Sequence, residues 1–338
     1  MNEIIDLRSD TLTKPSIAMK DFMLNCEVGD DVYGEDPTVN LLEEKMAKLT
    51  GKESALFVTS GTQSNLLALL SHCQRGEEYI CGQEAHLYKY EAGGASVLGG
   101  IQAQPLVYED NGSLNLELVK SVIKPEDSHF ARSKLLCLEN THDGKVLPLK
   151  YLEEAQQFAS ENNLLLHLDG ARVFNAAVSL SIKLVDICKY FDSVSLCLSK
   201  GLGAPVGSVL VGPASFIQEA RRYRKMLGGG MRQSGILAAA GLFCISNNIN
   251  DLKKDHDNAK LLHEGLSTIE ELEVLSSDTN MLFIQVSQDI EQALLQYLKE
   301  NNILISGYGQ LRLVTHRDVS SEDIHKVIDV FKDFFKTS

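Results

Sequence analysis

The stretch Ser193-Val-Ser-Leu-Cys-Leu-Ser-Lys200-Gly-Leu-Gly203 constrains this chain more than any other. It alternates, turns apolar, and ends in one lysine and a glycine turn. That is the pattern of a short buried strand delivering a charge at its end. Desolvating an ammonium is costly. It also lowers the lysine pKa, which makes a nucleophilic amine. A cofactor carbonyl would take such an amine as a Schiff base. A lysine that snorkels out at the strand end is the alternative.

The same device recurs upstream. The apolar run Leu164-Leu-Leu-His-Leu168 delivers Asp169, and Arg172 follows three residues later. Such an aspartate can hold a protonated ring nitrogen while the arginine takes an oxyanion or carboxylate. A buried Asp–Arg pair is the other reading. Leu135–Leu138 ends in Glu139-Asn-Thr-His142, and ligands of open α/β sheets bind at the carboxyl ends of strands. Ala55–Val58 runs into Thr59-Ser-Gly61-Thr62-Gln-Ser-Asn65 and then a helix. This turn is either a phosphate cradle, through free N–H groups and the helix dipole, or an ordinary N-cap. It is neither Gly-x-Gly-x-x-Gly nor a P-loop, which disfavours nucleotide.

His86 follows the strand Tyr79–Cys81 and either stacks on a cofactor ring or is a satisfied loop histidine. His129, in a polar stretch, reads both ways. Gly228-Gly-Gly-Met-Arg232 before the apolar helix 235–245 suits an anion. Arg312, between Leu311 and Leu313, invites a partner or faces water from an edge strand.

The remaining pattern is regular. Asp36 caps a helix with Pro37 at its first position, and Val39, Leu42, Met46 and Leu49 form its stripe up to Gly51. Helices are expected over 115–124, 152–161 and 216–226, with a strand turning back over 206–211. From Asn247 the pattern changes to helix 255–271, strand 281–286, helix 289–300, strands near 303–306 and 310–314, and helix 322–335. Ser320 and Asp323 form a capping box for the last. The divisions expected are an N-terminal arm over 1–15, a large β/α domain over 16–246 and a small α+β domain over 247–338.

Net charge narrows the partners. With 32 basic and 46 acidic residues the chain carries −14, and no basic cluster offers itself to nucleic acid or an anionic membrane. Seven cysteines at 26, 73, 81, 137, 188, 197 and 244 include no Cys-x-x-Cys pair and read as reduced thiols of a cytoplasmic protein. The N-terminus does not read as a signal peptide, and 235–245 is too short to span a bilayer. No acidic or histidine spacing reads as a metal site.

Phosphate cradle, ring stacker, aspartate and lysine together describe a pyridoxal 5′-phosphate (PLP) site. The sequence resembles the low-specificity L-threonine aldolases, of PLP fold type I in the aspartate-aminotransferase-like superfamily. The resemblance runs from Ile5-Asp-Leu-Arg-Ser-Asp-Thr11 almost to the C-terminus. It includes Val28–Gly34, Ser60-Gly-Thr-Gln63, Glu91-Ala-Gly-Gly94, Leu168-Asp-Gly-Ala-Arg172, Leu198–Gly203 and Gly228–Gln233. It implies an α/β fold: a large domain with a mostly parallel seven-stranded sheet, plus a small C-terminal α+β domain.

It also implies roles. Lys200 would carry PLP as a Schiff base, and Asp169 would bond the pyridine nitrogen. Gly61 and Thr62 would hold the phosphate with Arg232 of the partner subunit. His86 would stack on the ring near the substrate hydroxyl. Ser9, Arg172 and Arg312 would bind the cofactor oxygen and the substrate carboxylate, and Tyr33, His129 and Lys225 would line the site. The implied reaction is retro-aldol cleavage of L-threonine, L-allo-threonine and other β-hydroxy-α-amino acids to glycine and an aldehyde. His86 is the first candidate base and His129 the second. The implied assembly is a homo-oligomer with shared sites, at least a dimer and in full a dimer of dimers. A β-eliminating lyase, a hydroxymethyltransferase or an aminotransferase would use the same lysine and aspartate. A non-catalytic PLP-binding protein is the alternative of another class.

Overall fold

The structure is a computed structural model that describes residues 4–308 and 310–337. The chain enters as β1 (Ile5–Asp6) and then builds a seven-stranded sheet from β2 (Ser54–Val58), β3 (Glu77–Gly82), β4 (Gln102–Leu106), β5 (Arg132–Glu139), β6 (Leu165–Gly170), β7 (Ser193–Cys197) and β8 (Ser208–Gly212). Their order is β2-β8-β7-β6-β5-β3-β4. Every neighbouring pair is parallel except those of β8, which runs against both β2 and β7. Parallel neighbours need crossovers, and helices such as Leu149–Glu161 and Val173–Leu180 supply them. A sheet covered on both faces wants apolar strands throughout. Both β7 and β8 are buried at every residue, which is why they read as near-continuous runs.

Local signals decide where the helices start and stop. In helix Pro37–Thr50, Asp36 Oδ1 accepts from the N–H groups of Thr38 and Val39 at 3.1 and 3.0 Å. Asp36 Oδ2 also accepts from the N–H of Gly235 at 2.9 Å, so one buried carboxylate ties two helices together. Val39, Leu42 and Met46 enter the main core fully buried. Gly51 ends the helix at φ 71°, a left-handed conformation that glycine adopts freely.

The C-terminal part holds β9 (Leu272–Asp278), β10 (Met281–Val286), β11 (Ile303–Leu304), β12 (Ser306–Tyr308) and β13 (Gln310–Val314). Four of these form an antiparallel sheet in the order β12-β13-β10-β9. The helix expected over 255–271 spans Leu252–Leu266, and β9 was not foreseen. Leu266, Ile269 and Leu272 continue a helical stripe, and β9 is an edge strand with only its first residue fully buried, so its own alternation is weak. Ser320 and Asp323 do form the reciprocal cap of the last helix, Ser321–Thr337.

A second hydrophobic core gathers Ala259, Leu262, Leu282, Leu313, Phe331 and their neighbours, and Leu7 lies inside it. The described part of the N-terminal segment, from Ile4, is therefore docked. β1 pairs in parallel with β11, and the Val314 N–H donates to the Leu7 carbonyl at 2.8 Å. Among the described residues no helix is long and apolar enough to cross a membrane.

Replacing Asp36 with alanine should remove the cap and leave the Gly235 N–H without an acceptor. The expected loss is about 2–4 kcal/mol, read as a lower urea midpoint at unchanged slope.

Candidate active site

Charged groups converge where β5, β6 and β7 end. Asp169, only 2% exposed, closes β6 and pairs in register with Glu139 at the end of β5. Asp169 Oδ2 accepts from Asn65 Nδ2 at 2.8 Å, and Oδ1 from the Ala171 N–H at 3.1 Å. The same Asn65 nitrogen donates to Glu91 Oε1 at 2.9 Å. His86 Nδ1 lies 2.8 Å from that oxygen, and the His86 N–H donates to Glu139 at 2.9 Å. His142 closes the ring of contacts, 3.0 Å from Glu139 and stacked on Tyr108 at 3.8 Å between centroids.

The charges respond to this crowding. Burial and then the Glu139 charge push Asp169 up, against the opposing pull of Lys200 and His86. Burial likewise raises Glu91. Burial works on Glu139 too, but the hydrogen bond and charge of His142 outweigh it and hold that carboxyl low. The hydrogen bond to Glu91 lifts His86 above an ordinary imidazole, with burial opposing.

Lys200 stands on a tight return between β7 and β8. The Gly203 N–H donates to the Lys200 carbonyl at 2.8 Å, with Gly203 at φ 82°. Thr13 Oγ1 donates to the same carbonyl at 2.7 Å, so the docked N-terminal segment buttresses the lysine. The Lys200 charge acts on Asp10, His86, Glu139 and Asp169, so its ammonium lies within electrostatic range of all four.

Arg172 does pair with an aspartate, but with Asp10 rather than Asp169. Its Nε and terminal nitrogen donate to the two Asp10 oxygens at 2.9 and 2.7 Å. Burial would raise Asp10, but the Arg172 charge and hydrogen bonds bring it down to about 2. Arg312 sits on β13, an interior strand, so it is not the edge-strand arginine that was one of its readings. It donates to the Arg8 carbonyl at 3.0 Å, and its Nε is buried with no partner among the described residues. Burial and the neighbouring Arg172 charge push Arg312 below its ordinary value. Two guanidinium groups that repel each other, one with an idle donor, form a natural seat for a carboxylate. Ser9 is nearby in sequence and caps the short turn Asp10–Leu12.

At the head of helix Gly61–His72, Ser60 Oγ accepts from the Gln63 N–H at 3.1 Å. The N–H groups of Gly61 and Thr62 find no acceptor among the described residues. A side chain at Gly61 would meet only Ser208 Oγ, 3.8 Å away, and that buried hydroxyl also has no partner. Open space rimmed with idle donors suits a phosphate. With Asp169 for a ring nitrogen and Lys200 for a carbonyl, the residues present fit PLP.

Other expected residues lie apart within the single chain. The Asp31 N–H donates to the Arg232 carbonyl at 2.8 Å, and Arg232 pairs with Asp30 at 2.9 Å. Tyr33 (76% exposed) and Lys225 lie on the same exposed side of the molecule as that loop. His129 bonds Asp127 at 2.6 Å in an exposed loop before β5, roughly 20 Å from Glu139 along the strand. A single chain does not bring it to the cluster.

Asn65, Glu91, Asp10 and Tyr108 were not singled out from sequence, whereas His142 was read with Glu139 at a ligand-binding strand end. Asn65, Asp10 and Glu91 lay inside quoted motifs, but nothing local marked their partners. His86, Glu91 and Asp169 also bring possible metal-ligand atoms within 4.8 Å of one another. Hydrogen bonds account for that convergence, because Asn65 Nδ2 already serves both carboxylates. A cavity of about 880 Å³, lined by residues such as Lys48, Phe174, Ile245 and Lys253, contains none of this cluster.

Comparison with known proteins agrees with the geometry. A family model described as beta-eliminating lyase matches residues 6–289. The low specificity L-threonine aldolase of Escherichia coli K12 is 56% identical over 331 residues, covering 98% of this chain and 99% of that protein. Low-specificity L-threonine aldolase 1 of Arabidopsis thaliana is 44% identical over 346 residues, covering 98% and 97%. Among solved structures, a threonine aldolase of Leishmania major superposes with TM-score 0.85 at 22% identity, covering 98% and 99% of the two chains. A Sphingomonas wittichii serine palmitoyltransferase gives 0.77 at 18%, covering 98% and 86%. At those identities the two structures speak for the fold alone. The chain is a member of the beta-eliminating lyase family. Within that family it belongs to the low-specificity L-threonine aldolases.

The Asp10–Arg172 pair has a pH signature. A carboxyl held at about 2 against an ordinary 3.8 contributes fully above the higher value. Its contribution fades as pH falls toward the lower one. Wild type should therefore lose stability more steeply than Asp10→Asn between about pH 4 and pH 2, measured by denaturant unfolding across that range.

Proposed function

We propose that this protein cleaves L-threonine, L-allo-threonine and related β-hydroxy-α-amino acids to glycine and an aldehyde, using PLP. The observation that carries this reading is the meeting of Lys200, Asp169, His86 and the Arg172–Arg312 pair at the strand ends, in a member of this family. Bound PLP supplies the electron sink for breaking the Cα–Cβ bond. Lys200 supplies the amine for its covalent attachment, and Asp169 faces its ring nitrogen. Gly61 and Thr62 hold its phosphate, joined by the partner subunit's Arg232.

The chain's own groups do the rest. Arg312, with the Arg172 nitrogen that Asp10 leaves open, orients the substrate carboxylate. His86 covers the ring and acts as the base. Its Nδ1–H is given to Glu91, so the Nε2 lone pair is free to take the β-hydroxyl proton. Ser9, Tyr33 and Lys225 contribute to the lining. His129 can serve as the second candidate base only when another copy of the chain brings it in. The exposed Tyr33, Lys225, Arg232 and His129, together with exposed Ile17, Phe22 and Leu24, support a homo-oligomer with shared sites, at least a dimer. Free cysteines throughout support a reducing, cytoplasmic setting.

Purified protein given L-threonine or L-allo-threonine should release acetaldehyde, followed by NADH consumption with a coupled dehydrogenase, and Lys200→Ala should release none. 2-Oxobutanoate and ammonia in place of the aldehyde and glycine would instead mark an eliminating lyase. His86→Ala should lower kcat about a hundredfold or more, and His129→Ala less. The reverse order would exchange their roles. Glu91→Gln replaces the carboxylate hydrogen bond that lifts His86 with a weaker neutral one, so the acid limb of kcat should move to lower pH, by up to about one unit.

A further inference from the structure

Behind Asp169 a row of polar side chains, buried except for the half-buried His72 at its outer end, runs through the fold, and the proposed reaction does not use it. His72 Nε2 lies 2.7 Å from Ser193 Oγ, which lies 2.8 Å from His167 Nδ1. His167 Nε2 is 3.3 Å from Asn65 Oδ1, and Asn65 Nδ2 reaches Asp169. His167 and Ser193 face each other across β6 and β7, both without solvent exposure. His167 precedes Asp169 by two residues, so both point to the same face of the sheet.

Asn65 settles the direction of every bond in the row. The carboxylates of Asp169 and Glu91 accept, so the amide nitrogen faces them and Oδ1 faces His167. An amide oxygen needs a donor, so His167 carries its hydrogen on Nε2 and Nδ1 is bare. Ser193 then donates its hydroxyl hydrogen to Nδ1 and accepts from His72 Nε2–H. Burial pushes His167 down to about 3 and His72 to about 4, so both rings are neutral with one hydrogen each at neutral pH. All the donors point toward Asp169, and bonds aligned in this way polarise one another. A serine between two histidines resembles an activated nucleophile, but this hydroxyl is sealed from solvent and its hydrogen is committed to His167.

We propose that His167 is a positioning residue for the cofactor: its Nε2–H locks the Asn65 amide so that Asn65 aims a hydrogen at Asp169 and holds that carboxylate toward the ring nitrogen. Without this donor, Asn65 Oδ1 is left buried and unsatisfied, and the amide is held only from the side of the two carboxylates. The inference rests on Asp169 serving the ring nitrogen.

The test is PLP titration of apo-protein, followed by absorbance and protein fluorescence, with thermal unfolding of each apo-variant. Wild type, Asp169→Asn, His167→Leu, His167→Gln and Ser193→Ala are compared. His167→Leu should weaken PLP binding about tenfold or more. His167→Gln, which places an N–H near the Nε2 position, should recover most of that loss. Ser193→Ala should weaken binding a few-fold. A folded His167→Leu protein with wild-type affinity overturns the proposal. So does a His167→Gln variant no better than His167→Leu. If His167→Leu does not fold, unchanged affinity in both Ser193→Ala and His167→Gln likewise decides against it, while weakening confined to Ser193→Ala supports it. Wild-type affinity in Asp169→Asn would instead overturn the reading of Asp169, and the proposal with it.

Discussion

Keeping Asp169 negative inside the fold is the constraint on which the site depends. An isolated carboxylate buried this deeply costs several kcal/mol. The structure answers with an amide donor from Asn65, a backbone donor from Ala171 and the opposing charges of Lys200 and His86. Each comes from a different element, so the strand ends, the helix Gly61–His72 and the β7–β8 return must all be in register for one oxygen pair to be satisfied. Arg172 poses the inverse problem, a buried cation, and the Asp10 carboxylate answers it from the N-terminal segment.

What could be read from sequence followed the range of the signal. Lys200, Asp169 and Arg172 stand out because a charge ends an apolar run, and Asp36, Pro37 and Gly51 because caps are local. The seven-stranded sheet came through the resemblance rather than through periodicity. Asn65 stayed hidden because its partners Glu91 and Asp169 lie 26 and 104 residues away, and no local pattern encodes such distances. β9 was missed because an exposed edge strand alternates weakly. His129 illustrates another limit. Its polar surroundings were plain, but its distance from Glu139 emerges only once β5 has a direction.

The reversed strand β8 keeps Lys200 short-tethered. An antiparallel return needs only a turn, where a parallel one would need a crossover helix. The Leu198 N–H to Gly207 carbonyl and Ala204 N–H to Leu198 carbonyl bonds hold both sides of that turn. Lys200 is thus presented by one of the most local structures in the sheet, while its carboxylate neighbours arrive from across the chain.

The docked N-terminal segment has a consequence for synthesis. Domains emerge from the ribosome N-terminal end first, yet β1 finds its partner only in Ile303–Leu304, and Leu7 its hydrogen bond only at Val314. A nascent chain can thus assemble its seven-stranded sheet and its lysine turn while Asp10 still hangs free and Arg172 has no counter-charge. Of the groups around Lys200, the segment that carries Asp10 is thus the last to be seated. The Asp10–Arg172 pair can close only once the strands that hold Ile303 and Val314 exist to seat that segment.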